Sequence, residues 1–259
     1  MSEKTWETKI TDVAPNRIRL RGYPIDNLMG RASYPEAFFL ALTGELPRPE
    51  YKKLLDAILV SSVDHGVTPP SAQAAMTVAS AGSPMNAAIA AGVLAISTFH
   101  GGAIEGCMDV LKQAVAKMHI SGLSVEEAAA WTVQENEKAK SRIPGFGHRY
   151  HTDDPRTVRL FELARDEGVW GAHLDMAVAI EQALFEASGK RLPINVDGAI
   201  AAVLCEMGIE PKIANAFFIA SRLPGLVAHI YEEMTTQKPM RPIIAAAARY
   251  TGPAERRLE

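Results

Sequence analysis

Long apolar runs are missing from this 259-residue chain; the longest, Ala87 to Ile96, falls well short of the roughly 20 residues a bilayer span requires. The first residues, MSEKTWETK, are charged and polar with no apolar segment behind them, so neither a signal peptide nor membrane attachment is expected and the cytoplasm is the expected location. An excess of basic charge is missing too. With 27 Lys and Arg against 30 Asp and Glu the formal net charge is -3, which excludes a protein that coats nucleic acid while leaving room for a local anion pocket. Only two cysteines occur, Cys107 and Cys205, each inside an apolar, helical-looking segment with no second Cys or His at ligand spacing; they read as buried free thiols. Alternating runs of Val, Ile, Thr and aromatic residues are nearly absent, Arg17 to Arg21 being the best candidate strand. No fixed-period repeat or low-complexity tail is present, which sets aside solenoids and disordered linkers.

What the chain does contain is helix. Ala-rich windows with apolar residues three and four apart recur at 35–43, 51–63, 71–81, 85–98, 103–118, 124–140, 156–167, 172–188, 197–207 and 211–220, and they predict an all-α fold. Ser33 with Glu36 and Ser124 with Glu127 have capping-box spacing ahead of two of them. Breakers cluster at Gly44 to Pro49, Gly66 to Pro70, Ser141 to Pro155, Gly189 to Pro193 and Pro239 to Pro242. The 141–155 stretch is the longest of these and the richest in side-chain chemistry, the mark of a functional loop.

Four polar stations lie near predicted helix ends: Asp64-His65-Gly66, Phe99-His100-Gly101-Gly102, Gly145-Phe146-Gly147-His148-Arg149 and Asn195-Val196-Asp197-Gly198. Each sets a titratable group beside glycine, which lets the backbone approach a ligand and frees amide N–H groups. His119, His151, His173 and His229 have weaker surroundings and read as ordinary core or surface residues. A metal site is not expected: the histidines stand singly, apart from His148 and His151 near Asp153 and Asp154.

The segments LRGYPIDNL, FFLALTGELP, HGGAIE, PGFGHRYHTDDPR, INVDGAI and ASRLPGLVAHIYEE followed by MRPI together resemble citrate synthase and its relatives, in that family's order, from about residue 17 to about residue 253. The resemblance implies a large helical domain, about 1–140 and 215–259, with a smaller helical domain at about 141–214, truncated relative to full citrate synthases. It implies three catalytic groups. His100 in HGGA would hydrogen-bond the thioester oxygen, His148 in GFGHR would polarise the ketone of oxaloacetate, and Asp197 in NVDG would take the acetyl methyl proton. A methyl proton beside a thioester is so weakly acidic that a carboxylate removes it only where the developing enolate oxygen meets a fixed donor.

For the substrate carboxylates the resemblance implies Arg156, Arg222 and His65, with Arg241 in MRP reaching a neighbouring subunit's site, hence a homodimer or dimer of dimers with shared active sites. Arginine's planar fork suits a carboxylate. Arg142, Ile143, Gly145, Gly147 and Arg149 would meet coenzyme A, which enters as part of the thioester substrate; no tightly bound cofactor and no nucleic-acid or membrane partner is implied.

Three departures from full synthases shift the expected reaction. The chain is shorter, its DPR segment lies one residue closer to the histidine before it, and Gly-Ala-Ile follows Asp197. Length and NVDG resemble the short citryl-CoA lyases and the lyase module of ATP-citrate lyase. Cleavage of citryl-CoA to acetyl-CoA and oxaloacetate is therefore expected ahead of a compact citrate or 2-methylcitrate synthase using acetyl-CoA or propionyl-CoA. A catalytically retired subunit that binds coenzyme A esters is the reading from a different class, which intact His100, His148 and Asp197 oppose.

Overall fold

The computed structural model describes residues 6–147, 152–241 and 251–252. Its elements are strands β1 (Thr11–Ala14), β2 (Arg17–Leu20) and β3 (Tyr23–Pro24), then helices α1 (Ile25–Leu28), α2 (Tyr34–Thr43), α3 (Lys52–Ser61), α4 (Pro70–Ser80), α5 (Met85–Leu94), α6 (Ala103–Ser121), α7 (Val125–Lys138), α8 (Pro155–Asp166), α9 (Ala172–Ser188), α10 (Val196–Glu206) and α11 (Pro211–Thr236). Each predicted helical window falls on a helix, so the all-α expectation holds. Both expected capping boxes form: Ser33 N–H donates to Glu36 at 2.8 Å and Ser124 N–H to Glu127 at 2.8 Å, with the serine hydroxyls accepting in return.

The candidate strand at Arg17 to Arg21 becomes β2, the centre of an antiparallel meander in register Thr11↔Leu20 and Leu20↔Tyr23. Its neighbours escape a sequence reading because they are only four and two residues long, too short for alternation to register.

One hydrophobic cluster runs from Phe39 on α2 to Phe218 on α11, and α10 is its most enclosed member, buried at Val196 and from Gly198 through Cys205. A helix hydrophobic all round belongs in a core, where α6, α8 and α9 surround this one. A smaller cluster of Ala72, Ala75, Met76, Ala79, Ala88, Leu226 and Ile230 joins α4 and α5 to the far half of α11.

Helix α11 departs most from expectation. The periodic window stops at residue 220, yet the helix continues through Pro224 to Thr236. A proline inside a helix removes a donor and crowds the carbonyl four residues back; packing on both sides, with Phe217, Ser221 and Arg222 buried before it and Leu226 and Ile230 after it, carries the helix across. By length and composition α11 could cross a membrane, but its buried residues pack against α3, α4, α5 and α6 as those of a core helix do. The two cysteines are buried, as expected, and burial pushes the Cys205 thiol up to about 12.

Candidate active site

The chain turns sharply between α5 and α6. Ser97 and His100 exchange backbone hydrogen bonds of 2.8 Å, and Gly101 follows at φ +76. A Cβ on Gly101 would lie 2.5 Å from the Phe218 ring, and one on Gly102 would lie 2.7 Å from the Ser97 carbonyl oxygen, so both positions require glycine. The His100 ring stands edge-on to Phe218 with centroids 5.7 Å apart, and its Nε2 lies 2.8 Å from the hydroxyl of Ser71, a buried residue in the first turn of α4. Burial first, then the Arg222 and His65 charges, hold His100 below its ordinary pKa. It is therefore a neutral imidazole at pH 7, and with Ser71 assigned as donor to Nε2 the remaining N–H, on Nδ1, is a donor for a ligand.

Asp197 is positioned by a different device. Asn195 caps α10, its Oδ1 accepting the N–H of Asp197 at 3.0 Å and of Gly198 at 3.2 Å. The same residue stitches the 143–147 loop in place: its N–H donates to Gly145 O at 3.0 Å and its Nδ2 to Gly147 O at 2.9 Å. Gly147 N–H donates to Pro193 O at 2.7 Å, so the loop lies flat along the approach to α10. Gly145 and Gly147 both have φ +86. His148 and Arg149 come next in the chain and lie outside the described residues.

The carboxylate of Asp197 is pushed up to about 6, chiefly by burial, with Arg156 and Arg222 pulling the other way and Asp154 adding to the rise. A base near 6 is mostly ionised at neutral pH yet proton-hungry enough to work on a weak acid. Arg222 is 3% exposed; its Nε donates to Ser62 O at 2.8 Å and its guanidinium lies 4.9 Å from the Phe218 ring centroid. Arg156, at the start of α8, grips the buried Asp154 through two bonds of 2.9 and 2.7 Å. Among the described residues, Asp197 Oδ1 and Arg222 Nη1 are the buried side-chain polar atoms left without a partner. Each such atom costs about 1–3 kcal/mol, and a ligand carrying both a donor and a carboxylate would satisfy the pair.

The family model for the citrate synthase C-terminal domain matches residues 47–243, the stretch that holds every one of these groups. The chain belongs to the citrate synthase family. Citrate synthase 2 of Bacillus subtilis is 33% identical over 226 residues, 84% of this chain and 56% of that one, so the chain spans about half the length of such relatives. The citryl-CoA lyase of Hydrogenobacter thermophilus is 42% identical and superposes with a TM-score of 0.90, covering 99% of this chain and 98% of its own. The ATP citrate lyase of Methanosaeta concilii, solved with (3S)-citryl-CoA, has the same fold over 98% of this chain and 43% of its own, at a TM-score of 0.84 and 22% identity.

Within this citrate synthase fold the charges of His65 and Arg222 act on His100, and those of Arg156 and Arg222 on Asp197, which links the five residues electrostatically. Arg241 stands apart. It pairs with buried Glu233 through both nitrogens of its fork and takes the Ser80 hydroxyl on its N–H at 2.6 Å, at the far end of α11. Ile143 is buried and anchors the loop, whereas Arg142 is exposed. Of the acids near His148, Asp153 pairs with Arg191 at 2.7 Å and Asp154 with Arg156; His151 lies outside the described residues.

Three residues at the site escaped the sequence reading. Ser71 stands just after two prolines in the first turn of α4, where Pro69 occupies the cap position, and its hydroxyl meets His100. In the sequence Asp64 stands out only as part of its station, and His229 reads as an ordinary residue. The structure joins them at 2.9 Å. The available signal was that His229 follows Arg222 by seven residues, two turns along one helical face.

Proposed function

We propose that the chain is a citryl-CoA lyase that cleaves citryl-CoA reversibly into acetyl-CoA and oxaloacetate. The observation that carries this reading is the buried carboxylate of Asp197, its Oδ1 left without a partner, under the charges of Arg156 and of Arg222, the second of which also acts on His100. The lyase direction is favoured by the likeness, along nearly the whole of both chains, to the citryl-CoA lyase of Hydrogenobacter thermophilus.

In cleavage, His148 takes the citryl hydroxyl proton as the ketone of oxaloacetate forms. The electron pair of the breaking carbon–carbon bond moves into the thioester, giving an enolate whose oxygen accepts from Nδ1–H of His100. Protonated Asp197 then delivers its proton to the enolate carbon, completing the acetyl methyl group. A carboxyl that titrates near 6 serves both directions, as acid in cleavage and as base in condensation. Arg156, Arg222 and His65 would hold the carboxylates of the oxaloacetate portion. Arg142, Arg149 and the backbone of the 143–147 loop would meet coenzyme A, and Arg241 would complete the site of a second subunit in a homodimer.

The 33% identity to a citrate synthase supports a second reading, a compact synthase that condenses and then hydrolyses. One experiment separates the two: purified protein is mixed with citryl-CoA and, separately, with acetyl-CoA plus oxaloacetate, and oxaloacetate and free thiol are followed. Oxaloacetate released from citryl-CoA without free thiol is the expected result. Free thiol and citrate from the second mixture would make it a synthase. Tight thioester binding without turnover in either mixture would leave a binding subunit.

A further inference from the structure

Four contacts descend one face of α11 onto the last turn of α3 and the stretch that follows it. Ser221 Oγ donates a short hydrogen bond to Leu59 O, and Arg222 Nε donates to Ser62 O at 2.8 Å. At Gly225 the two backbones nearly touch, since a Cβ there would lie 2.1 Å from Val63 O and 3.2 Å from Asp64 Cβ. One turn further, Nε2 of His229 lies 2.9 Å from Oδ1 of Asp64. The spacing 222, 225, 229 follows the helical period, so a single face of α11 reads Ser62, Val63 and Asp64 in succession.

Asp64 divides its two oxygens between two tasks. Oδ1 meets His229, whose side chain is only 14% exposed, while Oδ2 accepts the N–H of Gly66 at 2.8 Å and closes a tight turn over His65. Gly66 completes that turn at φ +72. Burial works against the charged form of Asp64, but the Gly66 N–H and His229 together hold its carboxyl below the ordinary carboxylate range, so both bonds are made to an anion. His65, enclosed by the turn, is near enough to His100 for its charge to act on that ring.

We infer that His229 is a positioning residue for the oxaloacetate subsite: through Asp64 it fixes the turn that presents His65 to the substrate carboxylate. The inference rests on the lyase reading in one respect, the assignment of His65 to substrate. Arg222, also assigned to the carboxylates of the oxaloacetate portion, sits on the helix that carries His229, so a single face of α11 sets its distance from the His65 turn. A pair that merely fastened α3 to α11 would not need to share its carboxylate with the His65 turn.

The test measures oxaloacetate binding by calorimetry, with thermal unfolding alongside, for the wild-type chain, His229→Ala, His229→Gln, His65→Ala and the double variant. Loss of a charge-assisted bond predicts binding weakened about tenfold in His229→Ala, with His229→Gln recovering most of it because the amide can still donate to Asp64. In the His65→Ala background, His229→Ala should change binding no further. If His229→Ala unfolds, Asp64→Asn in the same cycle gives the same reading. Additive losses in the double variant, or a lowered Tm with unchanged binding, would overturn the inference. A wild-type chain that neither binds oxaloacetate nor cleaves citryl-CoA would overturn the lyase reading itself, a result distinct from a failure confined to the His229 variants.

Discussion

A Cβ placed on Gly198 would lie 2.4 Å from the carbonyl oxygen of Gly145, so the start of α10 and the loop before His148 are in direct backbone contact. In an isolated helix, alanine would be favoured over glycine by about 1 kcal/mol. Here the clash is with backbone on one side and the Ile194 side chain at 3.0 Å on the other, and neither yields cheaply. Gly198→Ala should therefore lower Tm and reduce turnover more than tenfold, with the loop moved relative to Asp197. Retained kcat in a folded Gly198→Ala variant would mean that loop and helix need not touch.

As the proposed base, Asp197 would link catalysis to stability. Its pKa rises from 3.8 unfolded to about 6 in the native chain, mainly through burial. For an acid raised by folding, the native state holds the proton longer, so stability is lost as pH climbs through the window from about 4 to about 6 and the full cost persists above it. That displacement corresponds to roughly 3 kcal/mol at neutral pH, taken as an upper figure. Asp197→Asn should thus be inactive yet melt higher than wild type at pH 7.5, with the difference vanishing near pH 4. In wild type, kcat/KM for condensation should fall about tenfold per pH unit below about 6, because the proposed base becomes protonated. Equal melting of the two proteins across the range would contradict the buried-carboxylate account.

With Ser71 as donor to Nε2, the His100 proton is held on Nδ1. Ser71→Ala frees the ring to place its proton on either nitrogen, which removes about 1 kcal/mol of organisation. The expected result is kcat lowered about fivefold to tenfold with oxaloacetate affinity unchanged. Exchange of the acetyl-CoA methyl protons in heavy water should slow in parallel. A weakened oxaloacetate affinity would instead place Ser71 in the substrate pocket.

The helices were legible because their apolar periods are long and their caps explicit, as at Ser33 and Ser124. Asp197 and His100 were legible because glycine beside a titratable group is a local signal, and the structure shows what those glycines avoid: Phe218 at Gly101 and Gly145 at Gly198. What stayed hidden was created by distance in sequence. Ser71 meets His100 across 29 positions and Asp64 meets His229 across 165, and no local pattern announces either contact. The second half of α11 was hidden for another reason, since Pro224 is a helix breaker by intrinsic preference and only tertiary packing overrides it.

Arg241 gives the sharpest test of shared active sites. Within one protomer it grips Glu233 beyond the end of α11, and its proposed part in catalysis comes through a second subunit. Arg241→Ala and Asp197→Asn should each be nearly inactive alone. If Arg241 serves the partner's site, a mixed dimer of the two variants brings both defects into one site and leaves the other with an intact Asp197 and an intact Arg241. Mixing the two inactive proteins under subunit exchange should then restore activity, approaching half the wild-type rate per mixed dimer. If Arg241 serves its own protomer, each site keeps one defect and mixing restores nothing, which would remove the shared-site proposal whatever the oligomeric state.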